Sequence, residues 1–395
     1  MLRAGQGLIL LAISLLLIGV VMVTSAGLAV GEESAAGLTL RTVLLGRPAM
    51  FAALAVVLML VAWRLPVSWL YTAKGAASPV PWIVLGSILL LVLVHVPPFG
   101  VEINGARRWV RFGPLGFQPS ELAKWGLLIV IAWHATRRAG SMGRLGSGFL
   151  APMALVALIC ALIATEDLGT AVLIAMVGVL MVLAAGARLR HVALLIPFGA
   201  AGFAAAVLTS PYRIDRLRAF LDPYQDPQGI GYHVLQSMAA VSGGGLAGRG
   251  LGNGLQKFGY LPEDTTDFIF AIISEELGLV GAAVVICLYA TLLLCGFSIV
   301  RRAEHPFQRL LGLGILLTIG LQALINLAVV TGLAPTKGIA LPLVSAGGTG
   351  WCLTAFCLGL LASMDREQAR KEAAAIAPCG QWAANAPRQA QARPG

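Results

Sequence analysis

Acidic side chains are concentrated in one short stretch of this chain, residues 260–278. Five of the 18 Asp and Glu residues lie there: Glu263, Asp264, Asp267, Glu275 and Glu276. Asp267 directly precedes an apolar run, a position where a short oxygen-bearing side chain often caps the free amides of a helix. A carboxylate placed there can also accept a proton from a substrate hydroxyl. The stretch alone leaves both roles open.

Cations that suit an anionic group lie on other segments. Arg107, Arg108 and Arg111 fall between two apolar runs, and Lys124 falls in the first turn of the next run. Arginine forks match phosphate oxygens, and the free amides of a helix N-terminus add to the attraction. The residue types indicate an anion site, although snorkelling towards lipid headgroups explains the same pattern.

The elements that position these residues are membrane-spanning helices. The chain has 395 residues, is 58% apolar and 12% charged, and has a mean hydropathy of +0.85, which excludes a soluble globular domain. We predict an all-α polytopic membrane protein with ten transmembrane helices and both termini in the cytoplasm. The predicted spans are residues 7–24, 47–63, 79–97, 120–135, 149–165, 169–186, 191–209, 267–299, 307–332 and 341–364. Residues 1–366 form one domain, and residues 367–395 are expected to be a disordered cytoplasmic tail.

The charge distribution supports this orientation. The predicted cytoplasmic connections, tails and adjoining helix ends hold 16 of the 28 Lys and Arg residues but four of the 18 acids. This is the positive-inside pattern, so the net charge of +10 reflects orientation rather than nucleic-acid binding. The Arg107-to-Lys124 cations are exceptions, because they fall on the outer side.

Three further charged residues are predicted to lie on that outer side. Glu121 is three residues before Lys124 and shares its helix face. Asp167 follows the fifth span, either as a helix cap or as an acid that faces the cations. Lys337 is the sole charge in the Pro- and Gly-rich segment 332–350, and irregular backbone at membrane level has to line a cavity or be buried in protein.

A large extracytoplasmic loop, about residues 210–266, separates the seventh and eighth spans. Its glycine-rich part, residues 242–254, is typical either of a flexible linker or of a backbone cradle for phosphate. The eighth span would be about 50 Å long against a hydrocarbon core of about 30 Å, so its first turns should stand at the outer interface. Helical phase puts Asp267 and Glu275 about 80° apart, which predicts that they share a cavity.

Four blocks of the sequence together resemble the FtsW/RodA/SpoVE family of cell-wall polymerases, the SEDS proteins, over about residues 50–364. The blocks are Asn104-Gly-Ala-Arg-Arg-Trp with Gln118-Pro-Ser-Glu-Leu-Ala-Lys124; Asp167-Leu-Gly-Thr170; Tyr260-Leu-Pro-Glu with Thr266-Asp-Phe-Ile-Phe and Glu275-Glu-Leu-Gly278; and Pro335-Thr-Lys-Gly with Leu341-Pro-Leu-Val-Ser-Ala-Gly-Gly348. The Pro-Thr-Lys-Gly form is more similar to the division (FtsW) branch. The chain departs from the family pattern at Thr265, where histidine is frequent, and at Ala346, where tyrosine is common.

This resemblance implies a multi-pass protein of the bacterial cytoplasmic membrane, at the septum for the division branch. The implied activity is a peptidoglycan glycosyltransferase that polymerises lipid II into glycan strands on the outer face. Implied partners are lipid II, the growing strand, a class B penicillin-binding protein and other division or elongation proteins. Asp267 matches the essential acid of the family. The further substrate-binding candidates are Arg107, Arg108, Lys124, Asp167, Lys337, Glu121, Glu275 and Ser345.

The residue types fit that chemistry. Joining two disaccharides needs a base for the attacking sugar hydroxyl and cations for the diphosphate leaving group. Asp267 would be the base of an inverting displacement, and a divalent cation such as Mg²⁺ or Mn²⁺ could share the diphosphate role. The alternatives are a lipid II flippase and a non-catalytic scaffold for a transpeptidase. A transporter would favour internal repeats and ionisable groups near the bilayer midplane, whereas these polar groups gather at one face.

Overall fold

The computed structural model describes residues 3–27, 39–73, 78–96, 99–103, 106–112 and 115–384. Most of these residues are helical, and a helix of at least 14 residues lies at each of the ten predicted spans. The helices are α1 (Ala4–Ala26), α2 (Leu40–Leu45), α3 (Arg47–Arg64), α4 (Trp69–Thr72), α5 (Pro79–Leu93), α6 (Pro119–Arg137), α7 (Ala151–Ala164), α8 (Leu168–Ala184), α9 (Leu189–Leu208), α10 (Pro211–Leu221), α11 (Tyr232–Gly243), α12 (Ile269–Arg302), α13 (Pro306–Val330) and α14 (Gly348–Ala384).

Six of the described helices are long and apolar enough to cross a membrane. They are α1, α3, α9, α12, α13 and α7 together with the π-helical turn Leu145–Leu150 that precedes it. The helices α5 and α8 are apolar but shorter. With this many long apolar helices in one chain, the protein is a multi-pass membrane protein.

The exception to the all-α architecture is a three-stranded antiparallel sheet between α5 and α6. Its strands are β1 (Gly100–Ile103), β2 (Ala106–Phe112) and β3 (Leu115–Phe117), paired in that order. β2 and β3 pair with Phe112 opposite Leu115 and Val110 opposite Phe117, and β1 adds a third strand alongside β2. The sheet lies at the end of the bundle that also carries α10, α11 and residues 244–268, which we call the loop face.

Gly278 divides α12 into two pieces. Its φ of +67° and ψ of −166° are non-helical, and a Cβ there would lie 2.3 Å from the Gly248 nitrogen, so only glycine fits. The first piece, residues 269–277, is buried almost throughout, whereas the second piece exposes many apolar side chains. The excess length predicted for this span is therefore a short buried helix at the loop face, followed by a membrane-crossing helix.

The glycine-rich segment wraps around this break and binds the carboxylates just before it. The amides of Gly252 and Gly254 donate to Glu276 at 3.0 and 3.3 Å, and those of Leu255 and Gln256 donate to Glu275 at 2.9 and 3.1 Å. The phosphate-cradle interpretation is wrong for these amides, because side chains of the same protein already occupy them.

A buried ion pair completes this attachment. Lys257 Nζ lies 2.8 Å from Glu276 Oε1, and both side chains are fully buried. The Ser25 hydroxyl of α1 donates to the same carboxylate at 2.8 Å, and Lys257 donates to the Gly252 carbonyl at 2.7 Å. The three contacts join α1, the glycine-rich segment and α12 at one point.

The helix α14 extends past the predicted domain boundary at residue 366. The helix continues to Ala384, and residues 385–395 lie outside the described residues. Gln368 donates to the Arg302 carbonyl, and Lys371 pairs with Glu304 at 3.1 Å. These two contacts attach residues 368–371 of α14 to the end of α12 and to the residues after it.

The buried pair yields a stability prediction. Lys257→Met should destabilise the fold by about 3–5 kcal/mol, because it leaves the Glu276 charge buried without its partner. Thermal unfolding of the detergent-purified protein measures the change. The matched control is Lys371→Met, whose pair with Glu304 is exposed (65% and 67%) and should be worth at most about 1 kcal/mol. Equal melting temperatures for the wild type and Lys257→Met would contradict the assignment.

Candidate active site

A cavity of about 1140 Å³ opens at the loop face, between α6, α8, α10 and the segment that precedes α14. Seven of the nine predicted site residues line it. They are Arg108, Glu121, Lys124, Asp167, Asp267, Lys337 and Ser345. Irregular backbone at residues 335–347 forms one wall, as expected for non-helical backbone at membrane level.

Asp267 lies just before α12 and does not cap it. The N-cap position belongs to Phe268, which makes no side-chain capping bond. The Asp267 carboxylate accepts no hydrogen bond from any residue that the structure describes, while its backbone carbonyl accepts one from Asn326 at 2.8 Å. The side chain is therefore oriented into the cavity without being used by the helix.

The pKa of Asp267 is raised to about 7, chiefly by burial and also by the nearby carboxylates of Glu263 and Asp167. The guanidinium groups of Arg216 and Arg108 oppose this shift. A carboxylate with a pKa near neutrality is half ionised at physiological pH and holds an abstracted proton better than an ordinary aspartate does. These are the properties of a general base.

Arg108 and Asp167 form a polar cluster beside it. Arg108 Nη1 lies 3.7 Å from Asp167 Oδ2, and the same guanidinium donates to the Glu166 carbonyl at 2.6 and 2.9 Å. Asp167 also caps α8, since its carboxylate accepts from the amide and hydroxyl of Thr170 at 3.0 and 2.9 Å. Asp167 is thus both a helix cap and an acid that faces a cation. Its Oδ2 faces Arg108, and both of its carboxylate oxygens accept hydrogen bonds from Thr170 in the first turn of α8.

Lys124 also lines the cavity and is 2% exposed. Its ammonium donates to both Glu121 oxygens at 2.8 and 2.9 Å and to Gln322 Oε1 at 3.1 Å. Ser345 closes a turn nearby, where its hydroxyl oxygen accepts from the Leu341 amide at 2.7 Å. Because Glu121 already neutralises Lys124, an anionic ligand would have to share this cation with a carboxylate.

Lys337 projects from the irregular wall. Its ammonium lies 5.5 Å from the centre of the Phe203 ring, within cation–π range. Burial lowers the pKa of Lys337, and the charges of Arg216 and Arg213 lower it further, whereas Asp167 raises it. The lysine is thus less strongly protonated than a solvated one.

Two cavity arginines were not among the predicted site residues. Arg213 of α10 donates to the carbonyls of Ala164 and Ala206, and Arg216 donates to that of Thr336 at 3.2 Å. Both belong to the predicted extracytoplasmic loop, about residues 210–266, whose arginines were given no role in the site from the sequence. The available signal was their charge on the side where cations are otherwise scarce.

Arg107 and Glu275 do not line the cavity. Successive strand residues point to opposite faces, so β2 directs Arg108 inwards and Arg107 outwards, where it pairs with Glu102 at 3.3 Å. Glu275 is 1% exposed beneath the glycine-rich segment. The expectation that it shares a cavity with Asp267 is wrong, because Asp267 precedes the helix and the helical phase does not apply to it.

The two departures from the family pattern lie in contact. The Ala346 amide donates to the Thr265 carbonyl at 2.8 Å, and Ala346 lines the cavity. Threonine and alanine are smaller than the histidine and tyrosine that are frequent in the family, so both departures change the same place in the wall. Thr265 is two residues before Asp267.

Asp267 yields a prediction about stability and pH. Its folded pKa of about 7 exceeds the ordinary 3.8, so ionisation opposes folding; the penalty is small near pH 4 and complete above pH 7. Asp267→Asn cannot ionise and should melt at a higher temperature than the wild type at pH 8, with a smaller difference at pH 5. Asp215→Asn, which changes an exposed aspartate, should show no such trend. A difference for Asp267→Asn that does not vary with pH would contradict the assigned pKa.

Comparisons with known proteins agree with this geometry. The model of the FtsW/RodA/SpoVE family, described as cell cycle protein, matches residues 6–370. A relative from Geobacter metallireducens, named a probable peptidoglycan glycosyltransferase FtsW, is 38% identical over 360 residues, which cover 90% of this chain and 92% of the relative.

Two solved structures share the fold. A chain from a structure described as "Structural coordination of polymerization and crosslinking by a peptidoglycan synthase complex" is 30% identical with a TM-score of 0.71, covering 92% of this chain and 97% of its own length. The rod shape determining protein RodA of Thermus thermophilus is 27% identical with a TM-score of 0.61, covering 92% and 96%. Because the family match spans nearly all of the described helices, this chain belongs to the FtsW/RodA/SpoVE family.

Proposed function

We propose that this chain is a peptidoglycan glycosyltransferase that polymerises lipid II, with Asp267 as the general base. The observation that carries the proposal is a carboxylate of near-neutral pKa, without a hydrogen-bond donor among the described residues, in a cavity that also contains Arg108, Arg216, Lys124 and Lys337. The names of the relative from Geobacter metallireducens and of the solved synthase complex support the same activity.

The chemistry is a single inverting displacement. Asp267 accepts the proton of the acceptor's 4-hydroxyl as that oxygen attacks the anomeric carbon of the donor. The new glycosidic bond forms as the bond to the diphosphate breaks, and the lipid diphosphate leaves with both bonding electrons. Arg108, Arg216 and Lys337 stabilise the charge that develops on this leaving group, and Asp167 holds Arg108 in place.

The membrane topology forms part of the proposal. Ten helices cross the bilayer with both termini in the cytoplasm, and the loop face lies on the outer side, where it meets lipid II. The charge asymmetry of the sequence supports this orientation. Division is the proposed setting, with the septum as the location, because the relative from Geobacter metallireducens bears the FtsW name.

A class B penicillin-binding protein is the proposed partner. The solved synthase complex is described as coordinating polymerization with crosslinking, and crosslinking is transpeptidase chemistry. Coupling the two activities in one assembly would deliver each new strand directly to the enzyme that crosslinks it.

The decisive experiment measures lipid II polymerisation by the purified chain with its cognate penicillin-binding protein. Asp267→Ala should lower the rate by about 10²–10⁴-fold, the range for losing a general base. The matched control is Asp264→Ala, since Asp264 is a neighbouring acid whose pKa burial raises to about 6 but which does not line the cavity; this variant should stay active. Equal glycan synthesis by wild type and Asp267→Ala would refute the base. If neither the wild type nor the variants polymerise lipid II, but lipid II still crosses the membranes of vesicles that contain the protein, the chain is a flippase.

The pH profile supplies a second prediction. The rate should rise with pH through about 7 as Asp267 loses its proton, and should fall at a pH below the usual lysine range of about 10.5 as Lys337 loses its charge. Lys337→Arg, which keeps its charge, should move only the upper limb to higher pH. An unchanged upper limb would separate Lys337 from the reaction.

A further inference from the structure

Two amide side chains lie one turn apart on α13, in a helix that is otherwise largely apolar. They are Gln322 and Asn326, four residues apart and hence on the same helix face. Asn326 is 1% exposed, and Gln322 lines the cavity. We call them the amide pair.

Asn326 joins the base to the irregular wall. Its Nδ2 group donates one hydrogen to the Asp267 carbonyl and the other to the Ile339 carbonyl, each at 2.8 Å. Both carbonyls belong to non-helical backbone, so regular secondary structure does not satisfy them. One rigid side chain therefore sets the separation between the segment of Asp267 and the segment of Lys337.

Gln322 makes the corresponding connection one turn away. Its Nε2 donates to the Ala340 carbonyl at 2.8 Å, and its Oε1 accepts from Lys124 Nζ at 3.1 Å. The amide pair thus binds two consecutive carbonyls, those of Ile339 and Ala340, and links them to Lys124.

We propose that Gln322 and Asn326 are positioning residues, which hold Asp267, Lys124 and the Lys337 segment in the relative positions that the displacement requires. The irregular wall has few backbone hydrogen bonds of its own near Lys337, among them Ile339 N to the Lys337 carbonyl at 2.9 Å. Its position is therefore set from outside, by the two amides of α13 and by Arg216 of α10, which donates to the Thr336 carbonyl. The inference rests on the proposed role of Asp267, and it adds residues that act through others rather than on substrate.

A purely structural role for the amide pair makes a different prediction. If the amides only satisfied buried carbonyls, their loss would lower the amount of folded protein without changing the chemistry of what remains. A positioning role changes kcat and the pH dependence of the folded enzyme, because the base is displaced from the buried position and the neighbouring charges that together set its pKa. Rate and pH profile per folded molecule distinguish the two roles.

The test compares Asn326→Leu and Gln322→Leu with Thr318→Val in the complete complex with the penicillin-binding protein. Thr318 is a matched control, because it is fully buried on the same helix but donates only to the Gly314 carbonyl of its own helix. Asn326→Leu should lower kcat about 100-fold with little change in KM, as expected for misplacement of about 1 Å. The midpoint of the lower pH limb should also move from its wild-type value. Thr318→Val should keep kcat and both limbs.

The remaining arms keep the proposal falsifiable. Asn326→Ser, which retains one donor, should recover part of the kcat lost in Asn326→Leu, and Gln322→Leu should lower kcat/KM. Wild-type kcat and pH profile in Asn326→Leu would overturn the proposal, as would a loss of rate that only matches the loss of folded protein. If Asn326→Leu does not fold, unchanged kcat/KM in both Asn326→Ser and Gln322→Leu overturns it instead.

An Asp267→Ala arm separates this inference from the proposed function. If Asp267→Ala stays active while Asn326→Leu is impaired, the base assignment fails, and the amide pair still positions the wall that carries Lys337. If Asp267→Ala is inactive and Asn326→Leu behaves like the wild type, the positioning role fails alone.

Discussion

The position of Asp267, the proposed base, depends on the attachment of the two glutamates at the break in α12. Glu275 and Glu276 take up four backbone amides of the glycine-rich segment, and Glu276 also pairs with the fully buried Lys257. Buried carboxylates are costly unless they are paired and hydrogen-bonded, so this arrangement tolerates little rearrangement. It holds the short helix 269–277 beneath the loop face, and Asp267 enters the cavity directly before that helix.

Two of the cations in the cavity are partly neutralised by neighbouring acidic side chains. Lys124 is paired with Glu121, and Arg108 contacts Asp167 and a backbone carbonyl. Because these cations already have partners, they can be buried in the cavity when no ligand is bound. A bound diphosphate would then share the cations with those partners or displace the partners. Asp267 differs, because its carboxylate has no donor among the described residues and burial raises its pKa to about 7. The proposed base and the pre-positioned cations thus coexist in one cavity without forming an ion pair with one another among the described residues.

The irregular wall explains why polar side chains on α13 matter. Backbone without helical hydrogen bonds can approach a ligand closely, but it needs other groups to fix its position. Asn326 supplies that constraint for both the Asp267 and the Ile339 carbonyls. The helix α13, which otherwise packs within the bundle, therefore positions the wall of the cavity through the side-chain amides of Gln322 and Asn326.

The sequence by itself determined the membrane class, the helix at each predicted span and most of the cavity residues. Hydrophobic run length and charge asymmetry are local signals, and the motif blocks carried Asp267, Asp167 and Lys337. Tertiary structure decided what local signals do not encode. In β2, successive side chains point to opposite faces, so Arg108 faces the cavity and Arg107 faces away from it. Because α12 begins after Asp267, the helical phase does not relate Asp267 to Glu275, and Glu275 lies outside the cavity. Contacts between distant segments, such as those of Asn326, have no signature in spacing, because they depend on how the helices pack.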